Sequence, residues 1–253
     1  MPCLWRRRRA FPLACLLMVV VAMARPATAQ TATPPETRFL HDVAHDYRNF
    51  FSWDSLRWLA VGGVISIAVA EADDAVRQGT EDPNAPVTRA LEGGGTGATY
   101  GNLTLQVPLA LGWWAVSRLN DSARGAAAGR DLLRAQISAV SWTYAIKYAV
   151  NRERPNGDPR SFPSGHASAT FATAMVLQEH YGWKVGVPVF AAAAYTAASR
   201  VTVNKHWASD VAFGAVVGIV SGRIATRHLP NSRVTVSPLV LNGGAAILVT
   251  ARP

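Results

Sequence analysis

Apolar residues recur along most of this chain at the spacing of amphipathic or buried helices. Six segments have this pattern and predict helices at residues 56–70, 103–117, 132–150, 167–177, 185–198 and 211–224. The polar segment between the first two, residues 71–100, predicts a long surface loop with a short helix at 86–91. Its glycine-rich run, residues 93–97, lacks the Lys-Ser/Thr ending of a nucleotide-binding loop, which favours a flexible turn. The predicted fold class is therefore all-α, a bundle of about six helices.

The two ends of the chain follow other patterns. A cationic stretch, an apolar run at residues 10–24 and an Ala27-Thr28-Ala29 site are typical of a cleaved secretory signal peptide, residues 1–29. A polar, Pro-rich tether is predicted at 30–36, followed by the helical domain at 37–228. Alternating residues on both sides of Asn242-Gly243 predict a small β-hairpin in a C-terminal extension, residues 229–253.

Composition and charge narrow the class of protein. With 253 residues and 49% hydrophobic content, the chain can bury a large core and is not disordered. The formal charge of +9 comes from 25 basic and 16 acidic residues. Five of the basic residues lie in the predicted signal peptide, which leaves 20 against 16. That balance gives no basic surface for a phosphate backbone, so no nucleic-acid partner is expected.

Three clusters of polar residues stand out from the Ala-rich background. The first is Lys147, followed after six residues by Arg154-Pro155. Seven residues are nearly two helical turns, so both cations are expected on one face of a helix that Pro155 ends. By itself this pattern is also typical of a cationic helix C-terminus that interacts with its own dipole.

The second cluster, Ser161-Phe162-Pro163-Ser164-Gly165-His166, opens the predicted fourth helix. Free backbone N–H groups and the positive end of the helix dipole point to one place there, and Gly165 lets an anion approach the backbone. The cluster therefore predicts an anion site. An ordinary N-cap followed by a solvent-facing histidine is the alternative.

The third cluster is Ser199-Arg200, then His206 and Asp210. The last two have i, i+4 spacing and are expected on one face at the start of the sixth helix. A carboxylate there can accept from one imidazole nitrogen and leave the other free as a nucleophile. A lone pair at this spacing is usually structural.

Taken together, the clusters resemble the type 2 phosphatidic acid phosphatase (PAP2) and vanadium haloperoxidase superfamily. Its motif is Lys-x6-Arg-Pro, Pro-Ser-Gly-His and Ser-Arg-x5-His-x3-Asp. All positions are filled here, by Lys147, Arg154, Pro155, Pro163, Ser164, Gly165, His166, Ser199, Arg200, His206 and Asp210. The match covers residues 147–210, and the helix pattern extends it to 56–224.

The resemblance implies a role for each residue. His206 would attack phosphorus, Asp210 would fix its tautomer, and His166 would protonate the leaving oxygen and then activate water. The phosphate oxygens would be held by Lys147, Arg154, Arg200, the Ser164 hydroxyl and the Gly165 N–H. Neither a metal nor another cofactor is expected, because the three cations would balance the charge that magnesium balances in many phosphotransferases.

Other polar residues are assigned simpler roles. His41 and His45, with Asp42 and Asp46, have the spacing of a zinc site, but an exposed amphipathic helix is favoured. Arg152 and Arg160 flank the predicted site; solvated surface charge is favoured for them, with attraction of an anionic substrate as the alternative. The isolated His180 and His228 are expected at the surface.

The predicted function is hydrolysis of a phosphomonoester or pyrophosphate, most plausibly of a lipid phosphate, through a phosphohistidine. A soluble nonspecific acid phosphatase is the alternative, although the short interval between Pro155 and Pro163 argues against it. A vanadium-dependent haloperoxidase is less favoured because such enzymes are longer, and a non-catalytic scaffold is less favoured because no motif residue is missing. Nothing in the sequence indicates the oligomeric state.

The predicted signal peptide places the protein beyond the inner membrane, in the periplasm or cell envelope. Uncharged runs at 135–146, 167–178 and 185–199 are shorter than the roughly 20 residues of a membrane span. We therefore expect a domain outside or against the membrane, with membrane association left open.

Overall fold

The computed structural model describes residues 39–81, Thr88, Leu91 and 94–229, and the backbone of 234–241 and 244–251. The helices in these ranges are α1 (Phe39–Phe50), α2 (Trp53–Ala70), α3 (Asp73–Glu81), α4 (Gly94–Tyr100), α5 (Leu103–Leu119), α6 (Ala123–Val150), α7 (Gly165–Tyr181), α8 (Trp183–Thr202) and α9 (Ala208–Ala225). The predicted signal peptide and tether lie outside the described residues, and the division of the chain into domains stays a prediction.

The predicted all-α class is confirmed, and all six predicted helices are present. Six was too low a number, because the described part of the chain adds α3 and α4, and α1 is the amphipathic helix predicted around His41 and His45. The segment 71–100 is therefore not the plain surface loop that its composition predicts. In α3 the carboxylates of Asp73 and Asp74 lie in the first turn, where their negative charges interact favourably with the helix dipole and stabilise the helix. In α4 tertiary packing against α8 overrides the poor helix propensity of glycine.

Small residues let α9 approach α7 closely. A Cβ atom at Gly214 would lie 2.6 Å from the Ser164 carbonyl oxygen, and one at Gly218 would lie 2.3 Å from the Ser168 carbonyl oxygen. The two backbones could not be this close with larger residues. As a result the N-terminal ends of α7 and α9 meet, and the Ser164 N–H donates to the Asp210 carbonyl at 3.0 Å.

The core on the other side of α7 is also built from small side chains. It joins α5, α6, α7 and α9 through Ala110, Leu132, Ala135, Ala139, Ala172, Val176, Leu177 and Ala225. Close packing of these side chains holds α6 and α7 together over most of their length. The ends of both helices that bear the motif residues are therefore fixed relative to each other.

Two of the described helices are long and apolar enough to cross a membrane, α2 and α9. They differ in their surroundings, since 17% of α2 and 56% of α9 is buried inside the protein. α9 is thus a core helix, whereas α2 exposes large apolar side chains such as Val64 and Ile67. An exposed apolar helix face of this kind is typical of a surface that contacts lipid or another protein.

The C-terminal region has two strands, β1 (Val234–Leu241) and β2 (Gly244–Ala251). They pair antiparallel, with Val234 opposite Ala251 and Leu241 opposite Gly244. This pair is a unit separate from the helical one.

Candidate active site

Lys147 lies in the last turn of α6 and is almost fully buried. Its Nζ donates to the carbonyl oxygens of Arg160 and Ser161, at 2.8 and 3.1 Å. Burial, together with the nearby positive charge of Arg154, lowers the pKa of Lys147 from 10.5 to about 8. The ammonium group is therefore still charged at neutral pH, but loses its proton under mildly alkaline conditions.

The helix of Lys147 does not continue to Arg154, contrary to the sequence prediction. Asn151 follows Val150 in a left-handed conformation with φ of 48°, and its N–H donates to the Lys147 carbonyl. Asparagine tolerates this conformation better than most residues, so α6 ends at Val150, five residues before Pro155. Arg154 lies in the connection to α7, where its N–H donates to the Asp158 carbonyl at 2.8 Å.

His206 and Asp210 are brought together, but not on a common helix face as the sequence predicts. α9 begins at Ala208 and Trp207 is its N-cap, so His206 precedes the helix. Asp210 occupies the third position of α9, where its Oδ2 accepts from the Trp207 N–H at 2.9 Å. The His206 Nδ1 lies 3.6 Å from the same oxygen. The carboxylate thus faces Nδ1, and Nε2 is the ring nitrogen left for chemistry.

The environment of His206 favours a neutral imidazole. Burial lowers the pKa of His206, and the positive charges of Lys147 and Arg154 act in the same direction, whereas Asp210 opposes them. A neutral ring has the lone pair that a nucleophile needs.

His166 is the second residue of α7, next to the N-cap Ser164, as predicted. Burial and the nearby charges of Arg200, His206 and Lys147 lower the pKa of His166 from 6.5 to about 4. A hydrogen bond to the backbone of Ala98 acts in the opposite direction. Ala98 belongs to α4, so a residue outside the sequence motif holds this imidazole.

The glycine-rich segment is a close-packed part of the site, which corrects its prediction as a flexible turn. A Cβ atom at Gly97 would lie 2.2 Å from the Ser199 Oγ, and one at Gly101 would lie 2.9 Å from the His166 Cδ2. The Gln106 side chain fixes the end of the segment by donating to the Tyr100 carbonyl at 2.6 Å. Only residues without a side chain allow α4 to lie against both motifs.

Several polar atoms of the site have no partner among the described residues. They are the Nε atoms of Arg154 and Arg200 and the Nδ1 of His206, all of them buried. The two guanidinium groups are close enough that Arg154 lowers the pKa of Arg200. Buried donors without partners, next to like charges, indicate a place that binds an anion.

Three contributors to the site were not assigned a role from the sequence. Ser161 is fully buried and its hydroxyl donates to the Asp210 Oδ2, while its carbonyl accepts from Lys147. Arg152 is not a solvated surface charge as predicted, because it binds both Asp210 and Asp73. Asp73 comes from α3, and no local sequence signal links it to the motif.

The remaining predicted residues lie elsewhere. His180 was predicted at the surface, but it is buried and its Nε2 lies 2.8 Å from the Asp131 Oδ2. Asp46 is buried against Arg134, while the His41 side chain is 80% exposed, as expected of an amphipathic helix. In the described part of the chain, no group of three or more His, Cys, Asp or Glu residues could hold a metal ion.

The helical fold, the cations and the paired histidine together have the features of a phosphate-binding site. Residues 156–233 match the model of the PAP2 superfamily. Two relatives each match part of the chain. The Lipid A 1-phosphatase of Porphyromonas gingivalis is 42% identical over 84 residues, 32% of this chain and 19% of that protein. The Lipid A 4'-phosphatase of Helicobacter pylori is 40% identical over 58 residues, 23% of this chain and 29% of that protein.

Two solved structures share the fold. A transmembrane PAP2 type phosphatidylglycerolphosphate phosphatase from Bacillus subtilis superposes with a TM-score of 0.58 and 18% identity, over 70% of this chain and 96% of that one. LpxE from Aquifex aeolicus gives a TM-score of 0.51 and 21% identity, over 61% and 94%. The predicted resemblance to the PAP2 superfamily is thus confirmed for residues 156–233, and the two solved structures share the fold.

Proposed function

We propose that this protein is a phosphatase that hydrolyses a phosphomonoester or pyrophosphate of a lipid through a phosphohistidine at His206. The buried Nε donors of Arg154 and Arg200, which have no hydrogen-bond partner among the described residues, are the observation that most favours this function. The curated relatives named above are lipid A phosphatases, and the segment that matches the family model, residues 156–233, includes the second and third motif clusters. Both considerations favour a lipid phosphate over a soluble ester.

In the first step, the Nε2 of His206 attacks phosphorus and the bond from phosphorus to the leaving oxygen breaks. His166 gives its proton to that oxygen, so the alcohol or phosphate leaves in neutral or less charged form. The Asp210 carboxylate, next to Nδ1, stabilises the positive charge that develops on the His206 ring.

In the second step, His166 takes a proton from water, and the resulting hydroxide attacks the phosphohistidine. The bond between phosphorus and nitrogen breaks, which releases inorganic phosphate and regenerates neutral His206. Burial and the nearby positive charges favour the neutral ring that the second step needs. The negative charge of a bound phosphate group favours the protonated ring that the first step needs.

Lys147, Arg154 and Arg200 stabilise the charge on the phosphoryl oxygens in both steps. Fixed cations in a buried site act on the transition state without reorganisation of solvent. The Ser164 hydroxyl, at the N-cap of α7, and the adjacent Gly165 N–H supply further donors.

The exposed apolar face of α2 supports a location at or in a membrane of the cell envelope, where a lipid phosphate is found. We propose that this face contacts the lipid while the motif residues bind the phosphate group. The protein would reach the envelope through the predicted signal peptide.

The test is phosphate release by the full chain, purified in detergent. We expect activity on phosphatidate, lipid A or a polyprenyl diphosphate, and its loss in His206→Ala. The exposed His41→Ala is the matched control and should keep wild-type activity. Release from p-nitrophenyl phosphate alone, by protein in the soluble fraction, would favour the acid phosphatase instead. Bromide oxidation that depends on added vanadate would favour the haloperoxidase.

A further inference from the structure

A second row of charges lies behind the His206 and Asp210 pair. Arg152 donates from Nη1 to the Asp210 Oδ1 at 2.9 Å, and from Nη2 to the Asp73 Oδ2 at 2.9 Å. Its guanidinium also lies over the Trp207 ring, 5.3 Å from the centroid. Arg152 therefore joins the catalytic carboxylate to a second carboxylate on α3.

Asp73 is only 4% exposed, which is unusual for a carboxylate at a helix start. Besides Arg152 it accepts from the Ser209 N–H at 2.9 Å and from the Ser209 hydroxyl at 2.5 Å. The Ser209 carbonyl in turn accepts from Ser66 of α2 at 3.0 Å. Ser209, the residue before Asp210, is thus held by three hydrogen bonds, two to Asp73 of α3 and one to Ser66 of α2.

We propose that Asp73 and Arg152 are positioning residues that hold the Asp210 carboxylate toward His206. This inference rests on the proposed function of that site. Arg152 occupies Oδ1 of Asp210, while Ser161 and the Trp207 N–H occupy Oδ2 on the side of His206. With both oxygens engaged, the carboxylate cannot rotate, and Asp73 keeps Arg152 in place.

The charge of the network gives Asp73 a second effect. Asp73, Arg152 and Asp210 together carry one net negative charge, which matches the single positive charge that His206 acquires during phosphoryl transfer. Without the Asp73 charge, Arg152 would neutralise Asp210, and the imidazolium would lose its stabilising partner. The pair therefore acts on the transition state through Asp210, without contact to the substrate.

Comparison of Asp73→Asn with Asp74→Asn tests this directly. Asp74 is the next residue in the same turn, but its side chain is 79% exposed. Its Oδ1 lies 3.9 Å from the Arg77 Nε, which is a surface ion pair. We expect Asp73→Asn to lower kcat by about 10- to 100-fold with little change in KM, as for other residues behind a reacting group. Asp74→Asn should have wild-type kcat and KM.

Double variants separate positioning from a purely structural role. In an Asp210→Asn background, Asp73→Asn should lower kcat no further, because its effect passes through Asp210. Arg152→Lys keeps the charge and should retain more activity than Arg152→Ala. Equal kcat in Asp73→Asn and Asp74→Asn, or a full additional loss in the Asp210→Asn background, would overturn the inference.

A second readout does not depend on turnover. Orthovanadate mimics the phosphoryl group and bonds to an imidazole nitrogen, so its affinity, measured by calorimetry, should be lower in Asp73→Asn than in Asp74→Asn. If the wild type releases phosphate from no substrate, the proposed function fails, but this difference in affinity still supports the positioning role. Equal vanadate affinities contradict it.

Discussion

Two clusters of charged residues are built around α6, one at Arg134 and one at Lys147, about 20 Å apart along the helix axis. The phosphate cluster consists of Lys147, Arg154 and Arg200 around His206. The ion-pair cluster consists of Asp46, Asp131, Arg134 and His180. Both clusters remove charged groups from water, but charges of opposite sign are paired in the ion-pair cluster, whereas positive charges accumulate in the phosphate cluster.

In the ion-pair cluster, charges are matched within the protein. Arg134 donates from Nε and Nη2 to the two oxygens of Asp46, at 2.8 and 2.6 Å. Its Nη1 donates to Asp131 and to the Ala225 carbonyl, both at 3.1 Å. The second oxygen of Asp131 binds His180. Such a cluster connects α1, α6, α7 and α9 and has no capacity left for a ligand.

In the phosphate cluster, positive charges accumulate, and the Nε atoms of Arg154 and Arg200 have no hydrogen-bond partner among the described residues. Like charges in a buried place destabilise the fold, so their persistence indicates a ligand that supplies the missing negative charge. The comparison teaches that burial of charge alone does not identify a functional site, whereas an unbalanced buried charge does.

Breaking the ion-pair cluster should give the largest effect, and on stability alone. Asp46→Ala leaves Arg134 buried with one partner fewer, which we expect to cost about 3–5 kcal/mol of unfolding free energy. Denaturant unfolding measures the loss, with the more exposed Asp42→Ala as control. The kcat/KM of the folded fraction should stay at the wild-type value, and a parallel loss of activity would show that the two clusters are not independent.

Removing a cation from the phosphate cluster should have the opposite signature. Arg200→Ala is expected to lower kcat/KM by about 10²–10³-fold, as for other transition-state donors. The melting temperature should be unchanged or higher, because the repulsion between Arg200 and Arg154 is removed. Arg227→Ala, at a surface pair with Asp54, serves as the control for both measurements. A large loss of stability with normal kinetics would assign Arg200 to the core instead.

The glycine-rich segment α4 allows a finer test within the phosphate cluster. Gly101→Ala places a methyl group against His166, whereas Gly95→Ala meets nothing within 4 Å. We expect kcat to fall about tenfold or more in Gly101→Ala only, because a small displacement misplaces the proton donor. Equal kcat values for the two variants would contradict a role of this segment.

The smallest expected effect is on the pH dependence of kcat/KM. The pKa of Lys147 is about 8, so its charge, and with it phosphate binding, is present below that pH and lost as pH rises through it. Wild-type kcat/KM should therefore fall above about pH 8. Lys147→Arg, which stays charged, should remove this fall, although its different shape lowers the plateau. A persistent alkaline fall in Lys147→Arg would assign it to another group.

The sequence was sufficient for the helices and the motif, because both depend on local residue order. The 3.6-residue pattern located the six long helices, and α6 was underestimated only where its first turns, Ala123 onward, are rich in small residues. The short helices α3 and α4 were not predicted. For α4 the reason is that it has almost no intrinsic helix propensity and forms through packing on α8.

The spacing of motif residues in the sequence also predicted the wrong structural reason for their proximity. Lys147 and Arg154 were assigned to one helix, but the left-handed Asn151 ends it between them. Asp73 and the buried His180 were missed because their partners, Arg152 and Asp131, are 79 and 49 residues away. Contacts between residues so far apart in the sequence depend on the tertiary fold, which the periodicity of hydrophobic residues does not predict.

Direct detection of a phosphorylated histidine tests the central claim most directly. His166→Ala should still accept phosphate from p-nitrophenyl phosphate, whose leaving group needs little protonation, but should hydrolyse the intermediate slowly. We therefore predict an acid-labile, alkali-stable phosphate on His206, located by mass spectrometry of the quenched variant and absent from the His166→Ala, His206→Ala double variant. Phosphate release by His166→Ala with no phosphate on His206, or the same label in the double variant, would contradict the account.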